Sequence, residues 1–266
     1  VTDHKPTKRP YRLGIALSGG GARGFAHAGA LKAIEEAGLK PDVIAGVSAG
    51  SIAGVLYAAG MPPTELVPLF SKTKFTDFCK LSIRDGGGLF SINNLKKFMV
   101  RHAGVENLEQ LAIPTFVGAT DLDNGVPAEF HSGALGERVM ASCSIPIVFQ
   151  PVRIDGTNYV DGGVLRNLPA WIIRERCDVL IGVNCSPLTT YRYKKSVFDV
   201  AMRTYALMAK SNQRLDTDMC DLVIETPNIA NYQVFNLKDI QKVYLSGYAA
   251  AHKALKEWLA LTPPPL

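Results

Sequence analysis

The 266-residue chain has no C-x-x-C pair: its five cysteines, Cys79, Cys143, Cys177, Cys185 and Cys220, are odd in number and widely spaced. That excludes the usual zinc spacing and a disulfide framework, and leaves reduced, mostly buried thiols. No run of 18 apolar residues occurs, so no spanning helix is expected. The polar first twelve residues, with Lys5, Lys8, Arg9 and Arg12, lack the apolar stretch of a signal peptide. A chain that starts at Val1 leaves its compartment open between cytoplasm, membrane periphery and export. Charge of one sign is scarce as well. The net +5 is diffuse, with no basic face or recognition motif, which argues against nucleic acid as a partner and only mildly favours anionic lipid surfaces.

What is present is ample apolar material: 47% of residues, against 20% charged, enough for a buried core and against disorder. Residues 12–18 read as a strand, 19–24 as a glycine loop and 25–38 as a helix, with Phe25, Ala28, Leu31, Ala33, Ile34 and Ala37 at helical spacing and Gly38 as its cap. A second strand over 41–45 leads through Gly46-Val47-Ser48-Ala49-Gly50 into a helix over 51–59. This alternation predicts βαβ units around a parallel sheet. Residues 61–103 break the rhythm. They are rich in large apolar groups with little strand character, and fit either the wall of a greasy site or a second helical layer, with Ser91 capping a helix over 92–103. Strands follow at 113–122 and, across the Asn124-Gly125 turn, at 126–131. A helix over 135–143, a hairpin across Asp155-Gly156, a helix over 168–176, a strand over 179–185, a long helix over 197–216, a short strand over 222–225 and a final helix over 237–261 complete the chain. With no repeat and no linker, the predicted organisation is a basic tail, 1–11, and one domain, 12–266.

Three places carry chemistry. The loop matches G-x-G-x-x-G at Gly19, Gly21 and Gly24, after a strand and before a helix, so a dinucleotide site must be weighed. Such a site wants an acid at the end of the second strand, and Asp42 stands at its start. Consecutive N–H groups at a helix start suit any anion, a transient oxyanion included. Ser48, flanked two residues away by Gly46 and Gly50, has the strand-to-helix setting of a nucleophile elbow. It needs a base. Of His4, His27, His102, His131 and His252, only His252 has the chain order of a hydrolase histidine, and it lies inside a helix. His27 is expected to face out of its helix. Asp161, followed by Gly162-Gly163, is the better candidate, provided burial lifts its weak basicity. Asp121-Leu122-Asp123-Asn124-Gly125 has the wrong spacing for calcium.

Gly19-Gly20-Gly21-Ala22-Arg23-Gly24, Gly46-Val47-Ser48-Ala49-Gly50 and Asp161-Gly162-Gly163, in that order, resemble the patatin-like phospholipases, lipid acyl hydrolases similar to the catalytic domain of cytosolic phospholipase A2. Ala119-Thr120-Asp121-Leu122, Ser144-Ile145-Pro146 and Asn167-Leu168-Pro169 add to the likeness, which spans about residues 12–186. The resemblance implies an α/β fold: three layers, α/β/α, around a mainly parallel sheet. It implies a Ser48–Asp161 dyad without histidine, and an oxyanion hole from Gly19, Gly20, Gly21, Ala22, Arg23 and Gly24, joined by Ala49. It implies neither metal nor cofactor, and a lipid or acyl-ester substrate, with peripheral membrane contact as its corollary. Arg23 fits either a lipid phosphate or a neighbouring carboxylate. Lys72, Lys74, Lys80 and residues 191–195 read as a lipid-facing rim or as solvated surface. The last 70 or so residues match no motif, so head group, acyl length and oligomeric state stay open.

Overall fold

The computed structural model describes residues 8–73, 75–82, 87–187, 196–226, 229, 232 and 237–261. His4, Lys5, Lys74 and the 191–195 stretch lie outside them. The N-terminal half contributes β1 (Tyr11–Leu17), a 3-10 turn (Gly21–Gly24), α1 (Phe25–Glu36), β2 (Val43–Val47), α2 (Ala49–Ala58), α3 (Pro63–Ser71), α4 (Phe75–Phe78), β3 (Lys80–Leu81), β4 (Gly88–Ser91), α5 (Asn93–Ala103), β5 (Thr115–Asp121) and β6 (Val126–Phe130). Then come α6 (Leu135–Ser142), β7 (Ile147–Phe149), β8 (Val152–Ile154), β9 (Thr157–Asp161), α7 (Ala170–Ile173), β10 (Cys177–Asn184), α8 (Val197–Ser211), α9 (Gln213–Thr217), β11 (Leu222–Glu225) and α10 (Ile240–Leu261).

The main sheet runs β11-β10-β1-β2-β5-β9-β8, with β6 also on β5. Its centre is parallel, from β11 through β10, β1 and β2 to β5; β6, β8 and β9 join antiparallel. Side chains alternate between its faces, as a pleated strand requires. Leu13, Ile15, Leu17 and Ile44 point to a core shared with α1, α2 and α10, whereas Ala16, Val43 and Ala45 point to a second core with Ile172 and Ile173 of α7. The fold is therefore three-layered, α/β/α. The first core is sealed where α10 crosses α1. A Cβ on Gly29 would lie 2.0 Å from Tyr244 O, and one on Gly247 2.2 Å from Ala26 O, so only glycine permits that approach.

Several expectations are corrected. Residues 61–103 do contain strands: β3 and β4 join β7 in a separate three-stranded sheet. They are two and four residues long, too short to show alternation, and β4's other partner lies far along the chain. Ser91 ends β4 opposite Lys80 and does not cap α5, whose N-cap is Ile92. The long helix is broken at Asn212 into α8 and α9, and the 168–176 helix is a single α-turn, Ala170–Ile173, followed by a 3-10 turn. Asp121 folds back on Asn124 N and Nδ2, at 2.9 and 2.8 Å, to form the hairpin turn. Four of the five thiols are buried, and none is in a disulfide. Among the described residues, no helix is long and apolar enough to cross a membrane.

Candidate active site

Ser48 stands between β2 and α2 with φ 53° and ψ −122°, a left-handed conformation that costs a non-glycine residue on the order of 1–3 kcal/mol. Its surroundings hold it there. Ser48 N donates to Ser142 Oγ at 2.8 Å, and Ser142 Oγ donates to Gly118 O at 2.6 Å. Ser48 O accepts from Ser51 Oγ at 2.7 Å. The flanking glycines act through space as well as conformation. A Cβ on Gly46 would sit 2.5 Å from Gly50 O, and one on Gly50 2.2 Å from Leu17 O. Strand, elbow and helix pass at backbone distance, so the serine is pushed out at the crest.

Asp161 is brought from β9, on the far side of β5. The register pairs Val47 with Gly118 and Ala119 with Asp161, so β5 lies between the strands that carry Ser48 and Asp161. The chain then crosses back over the middle of β5, at Gly118. A Cβ on Gly162 would lie 2.8 Å from Gly118 O and 3.0 Å from Val47 Cγ2, which is why Asp161 is followed by glycine. The Asp161 side chain is fully buried, and Oδ1 accepts from Gly163 N at 2.8 Å. Burial pushes its pKa up to about 6; the Ser48 hydroxyl, the Gly163 N–H and the Tyr205 hydroxyl each oppose that rise. Oδ2 makes no hydrogen bond of ordinary distance and angle among the described residues. The Ser48 and Tyr205 hydroxyls are thus close enough to favour the carboxylate, while one oxygen is left to receive a proton.

The glycine loop joins β1 to the 3-10 turn beside the serine. Gly19 N donates to Asn167 O at 3.1 Å and Arg23 N to Gly20 O at 3.2 Å, so these two N–H groups are engaged. Among the described residues, those of Gly20, Gly21 and Ala22 meet no acceptor in the chain, nor does that of Ala49 at the start of α2. Gly24 is a packing position: a Cβ there would lie 2.5 Å from Ala49 Cβ. Arg23 turns away, its Nε donating to Tyr232 O at 2.8 Å. In front of Ser48 lies a cavity of about 160 Å³, lined by Gly21, Ala22 and Ala49 near the serine and by Phe70, Phe78 and Leu95 further in. Phe98 packs behind Phe70 and Phe78, the three ring centroids lying 5.0–5.8 Å apart in tilted and edge-on contacts. Residues 61–103 therefore supply a greasy lining.

A family model described as patatin-like phospholipase matches residues 15–173. The chain belongs to the patatin-like phospholipase family. An uncharacterised NTE family protein of Mycobacterium tuberculosis is 35% identical over 175 residues, 65% of this chain and 49% of that protein. Lysophospholipase NTE1 of Kluyveromyces lactis is 25% identical over 284 residues, 92% of this chain and 19% of that protein. The chain thus spans half or less of the length of these curated relatives. VipD from Legionella pneumophila shares the fold, with TM-score 0.58 and 15% identity over 93% of this chain and 67% of that one.

Within this patatin-like frame, Ser48, Asp161 and the glycine loop converge, whereas the histidines do not join them. His27 is fully buried rather than outward-facing: Nε2 lies 2.7 Å from Ser18 O, and burial lowers its pKa to about 4. His102 and His131 pack at a tilt against Phe98 and Phe116, and His252 stacks on Tyr248. Asp42, weighed as a ribose ligand, caps the start of β1 through Arg12 N and Leu13 N. Two further residues stand by the candidate site, Tyr205 of α8 and Ser142 of α6. Neither lies in a motif, and only the fold reveals their places beside Asp161 and behind Ser48.

Proposed function

We propose that this chain is a serine hydrolase of lipid acyl esters working through a Ser48–Asp161 dyad. The observation that carries the reading is a serine on a strained elbow, beside a buried carboxylate, at the mouth of an apolar cavity. Asp161 takes the Ser48 proton as Oγ attacks the ester carbonyl. The N–H groups of Gly20 and Gly21, with Ala49, hold the oxyanion. Collapse of the intermediate breaks the ester C–O bond, and the leaving alcohol takes the proton from Asp161. Water then attacks the acyl-serine and gives its proton to Asp161, which passes it to Ser48 Oγ as the acyl C–Oγ bond breaks and the fatty acid departs. The cavity would take the acyl chain, and its mostly apolar lining fits a hydrocarbon.

An alkyl fluorophosphonate tests this directly. It is expected to label Ser48 stoichiometrically and stop hydrolysis of a p-nitrophenyl ester, with Ser48→Ala neither labelled nor active. Peptide mass mapping reads the site; full activity without label at Ser48 would refute the mechanism.

The pH profile follows from Asp161. A base must be unprotonated, so kcat/KM should fall as pH drops through about 6. Tyr205→Phe removes a hydroxyl that favours the carboxylate, so the acid limb should move to higher pH, with the plateau rate near that of wild type. A limb that stays put or moves down would mean that Tyr205 does not bear on Asp161.

A further inference from the structure

Behind the glycine loop, four side chains converge on one carbonyl. Gly19 O accepts from Ser186 Oγ at 2.8 Å, Ser18 Oγ at 3.2 Å, Asn167 Nδ2 at 3.4 Å and Cys185 Sγ at 3.4 Å. A carbonyl oxygen has two lone pairs, and only the Ser186 contact has the usual length of a hydroxyl hydrogen bond. The peptide before it is fixed too, with Ser18 O facing His27 and Gly19 N–H held by Asn167 O. A trans peptide is planar and its N–H points opposite to its carbonyl. Holding Gly19 O against Ser186 therefore turns Gly20 N–H the other way. That N–H has no acceptor among the described residues, and a Cβ built on Gly19 would come within 3.3 Å of Ser48 Cβ, so the peptide borders the nucleophile.

We propose that Ser186 is a positioning residue of the oxyanion hole: its hydroxyl, backed by Asn167, locks the 19–20 peptide so that Gly20 N–H faces the oxyanion formed on Ser48. The inference rests on the hydrolase reading above. Were the peptide to turn over, the site would meet the developing charge with a carbonyl oxygen in place of a donor. The ground-state ester carries little charge at that oxygen, so the lock acts on kcat and leaves KM largely alone. Ser186 also lies beyond the 15–173 segment that matches the family model, so the C-terminal part of the chain completes a device whose donors come from the N-terminal part.

Ser186→Ala is expected to lower kcat about tenfold with KM little changed, less than the ~10²–10³-fold typical of deleting an oxyanion donor outright. Ser186→Thr and Ser186→Val form a matched pair of equal volume; the hydroxyl-bearing threonine should keep most activity and the valine should behave like alanine. An alkylboronic acid, which forms a tetrahedral anion on Ser48, should lose affinity in the alanine variant by the same factor as kcat. A non-hydrolysable ether analogue of the ester should bind as before. Equal kcat and boronate affinity in Ser186→Ala and wild type would overturn the proposal. So would equal weakening of boronate and ether, which marks general damage to the cavity, or a valine variant as active as the threonine one. A wild-type chain that hydrolyses no ester and takes no fluorophosphonate at Ser48 would instead refute the hydrolase reading, and this proposal with it.

Discussion

Asp161→Asn is expected to reduce kcat by about 10²–10⁴-fold, the usual contribution of a positioned general base, and at the same time to make the protein more stable at pH 8. Both effects have one cause. The folded protein holds a carboxylate away from water, which lifts its pKa from 3.8 to about 6. A raised carboxylate pKa means that folding favours the neutral form. Below the unfolded pKa both states are neutral and nothing is lost; as pH rises through the folded value, the penalty reaches its full size. At about 1.4 kcal/mol per unit, it is on the order of 2–3 kcal/mol at pH 8. Asparagine carries no charge, keeps an oxygen for Gly163 N, and offers its amide to the hydroxyls of Ser48 and Tyr205. Thermal unfolding of the variant should therefore occur several degrees higher than wild type at pH 8, with the gap closing towards pH 4. Retention of most activity would sink the dyad. An unchanged melting temperature at pH 8 would mean that the carboxylate is better solvated than its burial indicates.

Gly50→Ala is expected to cost about 3 kcal/mol or more, a fall of roughly 6–12 °C in melting temperature, and to abolish turnover. One methyl does this because of what it meets. The added Cβ would come within 2.2 Å of Leu17 O, 2.6 Å of Leu17 C and 2.7 Å of Ser18 O. These are backbone atoms at the end of β1, in the middle of the sheet, and they cannot swing aside as a side chain would. Any relief must part α2 from β1, and that moves Ser48 away from the glycine loop that would hold its oxyanion. Circular dichroism melts and ester turnover check both halves. A variant that melts within about 2 °C of wild type would show that the elbow has slack, contrary to its packing.

Most of the candidate site was legible because it is local in sequence. Strand, glycine loop, helix, strand and elbow follow one another in the first 60 residues, each marked by glycine or by apolar spacing. Asp161 could be read from the two glycines after it, which the structure explains by the crossing over β5. What was not legible depends on residues far apart in the chain. Tyr205 reads as one more apolar position on an amphipathic helix, and only the packing of α8 places its hydroxyl against Asp161. A polar ring on a helix usually faces out, but His27 faces inward, where its Nε2 meets Ser18 O just past β1. The strands β3 and β4 were missed because four residues cannot establish a period. The break at Asn212 carries no proline or glycine, and α9 is instead held where Asp216 meets Arg166 at 2.6 and 2.9 Å.

The place of β1 between β2 and β10 has a consequence for how the protein is made. A chain made only as far as Ile173 already holds the whole segment that matches the family model, Ser48 and Asp161 included. Yet β1 then has only one neighbour, because β10 begins at Cys177, and α1 still lacks α10, which starts at Ile240. The unfinished chain exposes a bare apolar strand edge and an uncovered helix, both prone to wrong pairing. Folding of the centre must wait for β10 and α10, so a site of this design is complete only when α10 closes on α1, and a chain cut before Ile240 should be inert and prone to misassembly.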